Sequence, residues 1–146
     1  MNKKLINPLN NFITFSIYCL YPLVLLFLAF THDGRFWRAF LTPTISFVIV
    51  SIFRNFINAP RPYEVSDTVP IIKKETKGKS FPSRHVFSVF VIATTLFYIF
   101  KPLGILLMLA GILLAVLRVV GGVHFSRDVI AGAIIGIFSG VLGFYL

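Results

Sequence analysis

The chain has 146 residues, of which 57% are hydrophobic and only 13% are charged, and it carries a formal net charge of +9. A soluble domain carries about 25% charged residues, so this composition excludes a water-soluble globular enzyme as well as a disordered or collagen-like chain. The basic residues lie between long apolar segments instead of on a polar helix face. This arrangement favours anionic lipid headgroups or phosphates as partners and argues against nucleic acid.

Five apolar segments are near the length needed to cross the roughly 30 Å of bilayer hydrocarbon as helices. They lie at about 12–30, 39–57, 86–100, 103–123 and 128–146. None shows the two-residue alternation of a membrane strand, so we predict helices. The predicted fold is an all-α, polytopic membrane helix bundle with about five transmembrane helices, forming one membrane-embedded domain over residues 1–146.

The connections between these segments are unequal in length. Residues 31–38 and the pair Lys101-Pro102 predict tight turns at one membrane face, whereas the opposite face carries the only long loop, 58–84. Long loops often serve as lids or binding surfaces, so we expect this one to border a site. Its lysines and acidic residues are Lys73, Lys74, Lys77, Lys79, Glu64, Asp67 and Glu75.

Five ionisable side chains lie within or at the ends of the apolar segments, where each is costly to insert in lipid. An antiparallel path places all five at the membrane face of the long loop. Each has an ordinary explanation when taken alone, such as a snorkelling arginine or an aspartate near a helix N-terminus. Their convergence at one level predicts a functional site. These residues are Arg54, His85, Arg118, His124 and Asp128.

The spacing of His124 and Asp128 suggests a nucleophile with an orienting partner. They are four residues apart, so if a helix begins near Ser126 the carboxylate can fix the tautomer and orientation of the imidazole. An imidazole held in this way can attack phosphorus and form a phosphohistidine. His85, from another helix, can protonate the leaving oxygen as a general acid.

Several groups are suited to holding a phosphate. Arg54, Arg61 and Arg118 carry planar guanidinium groups that match phosphate oxygens. Ser83 begins a predicted helix, whose first backbone N–H groups form an anion site. Two histidines and an aspartate could also suggest zinc, but the three nearby arginines make the position electrostatically poor for a cation. We therefore predict no metal and no cofactor.

Three separated motifs resemble those of the type 2 phosphatidic acid phosphatases, membrane lipid phosphatases related to vanadium-dependent haloperoxidases. The family motifs Lys-x6-Arg-Pro, Pro-Ser-Gly-His and Ser-Arg-x5-His-x3-Asp appear in this order as Arg54 to Arg61-Pro62, Pro82-Ser83-Arg84-His85, and Leu117-Arg118 to His124 and Asp128. The resemblance implies a metal-independent hydrolase with nucleophile His124, orienting partner Asp128 and acid His85. It also implies that phosphate is held by Arg54, Arg61, Ser83 and Arg118.

The chain departs from the family pattern at three positions. Arg54 replaces a lysine, Leu117 replaces a serine, and Arg84 replaces a glycine in the phosphate-binding turn. We hypothesise that Arg84 contacts a second phosphate or a lipid headgroup. The alternative is that Arg84 blocks the pocket and that the protein binds lipid without hydrolysing it.

The sequence thus predicts an integral membrane lipid phosphatase whose substrate enters from the bilayer. The extra charge of Arg84 favours an isoprenoid diphosphate such as undecaprenyl diphosphate, with phosphatidic acid or phosphatidylglycerophosphate as the alternative within the class. A silent lipid-binding protein and a small transporter that uses the charged cluster as a relay are the rivals from other classes. The sequence leaves the oligomeric state open.

The membrane orientation depends on two opposing arguments. Apart from the site arginines, the loop face carries more lysine than the opposite face has basic residues, so the positive-inside rule favours a cytoplasmic site. The lysines of the long loop can instead attract anionic substrate, which confounds that count. We predict an active site on the extracytoplasmic face, as is usual for bacterial relatives of the family.

Overall fold

The computed structural model of the protein describes residues 3–66, 69–72 and 76–146, and within these ranges the regular structure is entirely helical. Of the charged loop residues, Asp67, Lys73, Lys74 and Glu75 lie outside the described ranges. The helices are α1 (Lys3–Phe30), α2 (Phe36–Ile57), α3 (Pro62–Val65), α4 (Arg84–Ile99), α5 (Lys101–Val120) and α6 (Ser126–Tyr145).

Four described segments are helical, long and apolar enough to cross a membrane. They are α1, the segment Phe36–Val65 that begins with α2, α5 and α6. The remaining apolar helix, α4, has 16 residues and a length of about 24 Å at 1.5 Å per residue. All of its residues from Val86 to Leu96 are buried, so α4 forms the centre of the bundle. The predicted all-α membrane bundle is confirmed.

The outer helices expose large apolar side chains, as expected where the surrounding solvent is lipid. On α1, Phe12, Phe15 and Phe27 are each more than 60% exposed. The same pattern continues on α2, α5 and α6. An apolar surface of this extent is incompatible with a soluble monomer.

Helix α1 begins earlier than its predicted span. It starts at Lys3 and includes the polar stretch from Asn7 to Asn11, which precedes the apolar segment. Hydropathy detects only the part of a helix that lies in hydrocarbon, so an interfacial first turn is missed. These additional turns bring polar side chains of α1 to the face where α4 and α6 begin.

Small residues let α6 pack closely on α4. A Cβ atom added at Gly132 or Gly136 would lie 2.7 Å from the backbone oxygen of Ser83 or Phe87, respectively. The backbone at the start of α4 therefore fills the face of α6 that carries these glycines. At the head of the same face, the Ser83 N–H donates to the Asp128 backbone oxygen at 2.8 Å. This packing sets the position of Asp128 relative to the start of α4.

We expect Gly136→Ala to lower the free energy of unfolding by about 1–3 kcal/mol, since the new methyl group meets backbone that cannot move aside. This loss should outweigh the roughly 1 kcal/mol by which alanine is the better helix former. Gly34→Ala is the matched control, because nothing lies within 4 Å of a Cβ atom at Gly34. Thermal unfolding in detergent compares the two variants; equal stability would contradict the close-packing argument.

The long loop folds onto the end of α5. The N–H groups of Ile71 and Ile72 both donate to the Gly121 oxygen, at 3.0 and 3.2 Å, and the Ile72 side chain is buried. The Gly78 N–H donates to Glu64 Oε1 at 2.6 Å. These contacts bring the segment that precedes α4 over the ends of α2 and α5.

Candidate active site

A polar cavity of about 270 Å³ lies at the end of the bundle beneath the long loop. Drug-sized ligands occupy roughly 300–1,000 Å³, so this space suits a headgroup and not a lipid tail. Of the side chains proposed from the sequence, Arg54, Arg61, Arg84, His85 and His124 line it. The other lining residues are Ser51, Asn55, Thr76, Lys77, Gly78 and Lys79.

His124 and Asp128 form the pair expected from their spacing. Helix α6 begins at Ser126, which places the buried Asp128 in its first turn and His124 in the connection before it. His124 Nδ1 lies 3.5 Å from Asp128 Oδ2, and the same oxygen accepts the Phe125 N–H at 3.0 Å. With Nδ1 beside the carboxylate, Nε2 is the ring nitrogen left for chemistry.

Ser80 is a third member of this group, and sequence reasoning missed it. Its hydroxyl donates to Asp128 Oδ2 at 2.5 Å and lies 3.4 Å from His124 Nδ1. Ser80 belongs to none of the three motifs, and its distance from Asp128 in the chain hides the contact. The only available signal was its position two residues before Pro82 at the end of the long loop.

Burial keeps His124 neutral at physiological pH. The pKa of His124 is lowered to about 4, chiefly because burial disfavours the imidazolium, and the charges of Arg61 and Arg118 act in the same direction. The hydrogen-bonded Asp128 opposes this shift. The imidazole is therefore unprotonated and available as a nucleophile near pH 7.

Arg61 connects the long loop to the turn that carries His124. It is 2% exposed, and its Nε and Nη1 donate to the oxygens of Gly78 and Val123, both at 3.0 Å. Its guanidinium remains charged at any working pH. Arg61 therefore holds the cavity wall in place and adds positive charge to it. Arg54, at the end of α2, donates to the Lys79 oxygen and reinforces the same wall.

Arg84 lies at the side of the cavity. Its guanidinium carbon is 5.5 Å from the centre of the Phe47 ring on α2, a cation–π arrangement. The cavity of about 270 Å³ remains open with the Arg84 side chain in place. Arg84, which replaces the family glycine, thus extends the basic wall of the cavity toward the space between α2 and α4.

Three residues proposed from the sequence do not line this cavity: Asp128, which contacts His124 from behind, Ser83 and Arg118. Among the residues that the structure describes, none hydrogen-bonds to the buried Ser83 hydroxyl, while the Ser83 backbone N–H holds Asp128 in place. Arg118 is buried and lines a separate cleft beside α1. His85 lines both spaces, so the cleft and the cavity meet at that side chain. Across the described parts of the chain, no three His, Cys, Asp or Glu side chains group as metal ligands.

Comparison with known proteins identifies chains that are similar to this one in sequence and in fold. The chain is 30% identical over 105 residues to the Bacitracin transport permease protein BcrC of Bacillus licheniformis, covering 69% of this chain and 52% of that relative. The chain thus spans about half the length of this relative.

Two solved structures have the same fold. The crystal structure of LpxE from Aquifex aeolicus matches with a TM-score of 0.77 and 31% identity, covering 99% of this chain and 93% of that one. A transmembrane PAP2-type phosphatidylglycerolphosphate phosphatase from Bacillus subtilis matches with a TM-score of 0.79 and 17% identity, covering 98% and 75%. Together with the apolar helices, these similarities identify an integral, multi-pass membrane protein.

The family model of the PAP2 superfamily matches residues 35–146, which include every motif position discussed above. The resemblance to type 2 phosphatidic acid phosphatases is confirmed, and the chain belongs to the PAP2 superfamily.

Proposed function

We propose that the protein is a metal-independent lipid phosphatase that works through a phosphohistidine at His124. The observation that carries the proposal is the buried group of His124, Asp128 and Ser80, of which His124 lines a cavity with basic walls. His85 lines the same cavity from the start of α4 and is the proposed proton donor to the leaving oxygen. Family membership supports the reaction class.

In the first step, the Nε2 lone pair of His124 attacks phosphorus and the bond from phosphorus to the leaving oxygen breaks. The bonding electron pair goes to the leaving oxygen, which takes a proton from His85. The imidazole becomes positively charged, and Asp128 beside Nδ1 stabilises that charge. The guanidinium groups of the wall stabilise the negative charge on the transferring phosphoryl group.

In the second step, water attacks the phosphohistidine. His85, now unprotonated, takes a proton from the water as the phosphorus–nitrogen bond breaks. The electron pair returns to Nε2, inorganic phosphate leaves, and both histidines recover their starting states. The two steps use the same groups in opposite directions, as acid–base catalysis of a double displacement requires.

The lipid tail has an apolar route away from the cavity. A groove of about 250 Å³ lies between α1, α2 and α4. Phe47 lines this groove and lies under the guanidinium of Arg84, so the groove and the cavity adjoin at this pair. We infer that the headgroup occupies the cavity and that the tail lies in the groove, open to the bilayer.

Within the class, an isoprenoid diphosphate such as undecaprenyl diphosphate is the substrate that we favour. Arg84 adds a positive charge at the cavity wall, close to the exposed Lys77 and Lys79. A diphosphate carries more negative charge than a phosphate monoester, so its electrostatic attraction to this basic wall is stronger. Phosphatidic acid and phosphatidylglycerophosphate are the comparison substrates.

Phosphate release by purified protein in detergent with EDTA tests the proposal. We expect release from undecaprenyl diphosphate to exceed release from phosphatidic acid and phosphatidylglycerophosphate, and Arg84→Gly to reduce this preference. Loss of all release on chelation would overturn metal independence. No release from any of the three lipids by folded protein would instead favour a lipid-binding role.

We propose that the active site lies on the extracytoplasmic face, as is usual for bacterial relatives of the family, and that the loop lysines, which the positive-inside rule would place in the cytoplasm, serve to attract anionic substrate. In a Cys19→Ala background, Lys77→Cys at the cavity should react with a membrane-impermeant maleimide added to intact cells. Gly34→Cys, in the turn between α1 and α2 at the opposite end, should react only after the membrane is permeabilised. The reverse pattern would place the site in the cytoplasm.

A further inference from the structure

Phe47 on α2 is a residue that neither the three motifs nor the proposed chemistry accounts for. Its side chain lines the apolar groove between α1, α2 and α4, and the guanidinium carbon of Arg84 lies over its ring, 5.5 Å from the ring centre. Arg84 itself lines the polar cavity. The two side chains therefore form a neck, which we define as the junction between the cavity and the groove at Phe47 and Arg84.

The positive charge of Arg84 is not neutralised by the protein. Among the described residues no carboxylate forms an ion pair with Arg84, and none lines the cavity. The cavity wall instead carries two further guanidinium groups, those of Arg54 and Arg61. Because like charges repel, an unattached Arg84 side chain would turn away from the cavity. The Phe47 ring opposes this repulsion, since the negative face of an aromatic ring attracts a cation.

The contact with the ring prepares Arg84 for binding an anion. Arg84 is an exposed residue, and a long exposed side chain loses rotamer freedom when a ligand fixes it. A guanidinium that is already held over a ring loses less of that freedom on binding. The ring also uses no carboxylate or carbonyl acceptor, so the N–H donors of the guanidinium remain available for phosphate oxygens.

The position of the neck indicates which part of a substrate it contacts. The phosphorus under attack must lie against His124 in the cavity, and the inferred tail lies in the groove. The group that joins the two passes Arg84 and Phe47. His85, the proposed proton donor to the leaving oxygen, directly follows Arg84 at the start of α4, which places the leaving group on this side. In a diphosphate lipid the joining group is the second phosphate, whereas in a phosphate monoester it is the first carbons of the tail.

We propose that Phe47 is a positioning residue that holds Arg84 at the neck for the second phosphate of a diphosphate lipid. The inference rests on the proposed function and deepens it, because it names a residue outside the motifs that sets the preference for a diphosphate. Phe47 is not part of the cavity lining, so it acts on the phosphates only through Arg84. Substrates are thus distinguished at the neck by the charge of one group.

The test measures kcat/KM for farnesyl diphosphate and farnesyl monophosphate, which share a tail, in wild type, Phe47→Leu and Phe47→Tyr. Leucine is apolar but has no aromatic face, and its effect on tail packing applies to both compounds and cancels in their ratio. We expect the diphosphate-to-monophosphate ratio to fall about 3- to 10-fold in Phe47→Leu, the range of a cation–π contact, and to stay within about twofold of wild type in Phe47→Tyr. Phe56→Leu, on the same helix and 85% exposed, is the matched control and should leave the ratio unchanged.

A double-mutant cycle determines whether the ring acts through Arg84. In an Arg84→Gly background the ring has no cation to hold, so Phe47→Leu should change the ratio by less than about twofold. A further loss as large as the loss in wild type would assign Phe47 to the tail alone and overturn the inference. An unchanged ratio in Phe47→Leu, or an equal loss in Phe47→Tyr, would overturn it as well.

The outcomes separate failure of this inference from failure of the proposed function. Wild type that hydrolyses neither compound contradicts the phosphatase itself, whereas hydrolysis of both with a ratio insensitive to Phe47 contradicts only the role of the ring. A wild-type preference for the monophosphate would remove the second phosphate from the neck and overturn the inference. If Phe47→Leu does not fold, Phe47→Met supplies a flexible apolar side chain without a ring, and the same fall in the ratio is expected.

Discussion

Replacing His124 with asparagine is expected to reduce phosphate release at least about 10⁴-fold, the scale seen when a covalent nucleophile is removed. Without the imidazole no phosphohistidine forms, and water must attack the lipid phosphate directly. The wild-type enzyme quenched during turnover should carry a phosphoryl group that is stable to alkali and labile to acid, which the variant lacks. His32→Asn is the matched control, since His32 lies in the turn at the opposite end of the bundle. A His124→Asn enzyme with more than about 1% of wild-type activity would exclude the covalent route.

The pKa of His124 predicts the pH at which kcat/KM falls on the acid side, or acid limb, of its pH profile. Burial lowers the pKa of His124 to about 4, so the neutral, nucleophilic form persists when the pH falls through the range near 6.5 where a free imidazole is protonated. We expect kcat/KM to lose its His124-dependent component only as the pH approaches 4. Because Asp128 raises this pKa, Asp128→Asn should move that limb to still lower pH while reducing the rate through loss of orientation. An acid limb at pH 6.5 or above that follows His124 would contradict the buried, neutral imidazole.

Replacing His85 with glutamine should have an effect that depends on the substrate. A phosphatidic acid substrate expels an alkoxide, whose conjugate acid is about as weak an acid as water, so loss of the proton donor should slow the first step about 10²- to 10⁴-fold. A diphosphate expels a phosphate whose second pKa is about 6, so its first step needs little protonation. In the proposed mechanism, the second step needs His85 to activate water for either substrate.

Rapid quenching of His85→Gln distinguishes these cases. With undecaprenyl diphosphate, we expect the phosphohistidine to accumulate to nearly one per enzyme, followed by slow hydrolysis. With phosphatidic acid, little phosphoenzyme should appear. His32→Gln supplies the control for substitution of a histidine at the other face. Equal accumulation from both substrates would remove His85 from the leaving-group step and restrict it to activating water.

Much of the fold and part of the candidate site could be predicted from the sequence. Composition required a lipid environment, and the length of the apolar segments required helices, because a backbone in hydrocarbon must satisfy its own hydrogen bonds. The spacing of His124 and Asp128 predicted their contact, since a carboxylate in the first turn of a helix can reach a side chain just before the helix begins. Charged residues at the ends of apolar segments also pointed to one membrane face, because each is too costly to keep there without a purpose.

Other parts of the site depended on contacts between residues distant in the sequence. Ser80 reaches Asp128 only because the end of the long loop folds under the start of α6. Arg61 was expected to hold phosphate, and the fold shows its guanidinium also bonded to loop and turn carbonyls that no spacing rule predicts. The polar start of α1 was invisible to hydropathy, which detects apolar residues alone. The sequence by itself therefore determined the membrane fold and the contact between His124 and Asp128, because these follow from composition and from spacing at the start of a helix. Only the tertiary structure decided that Arg84 lies over the Phe47 ring, because that contact is made by packing between α2 and α4.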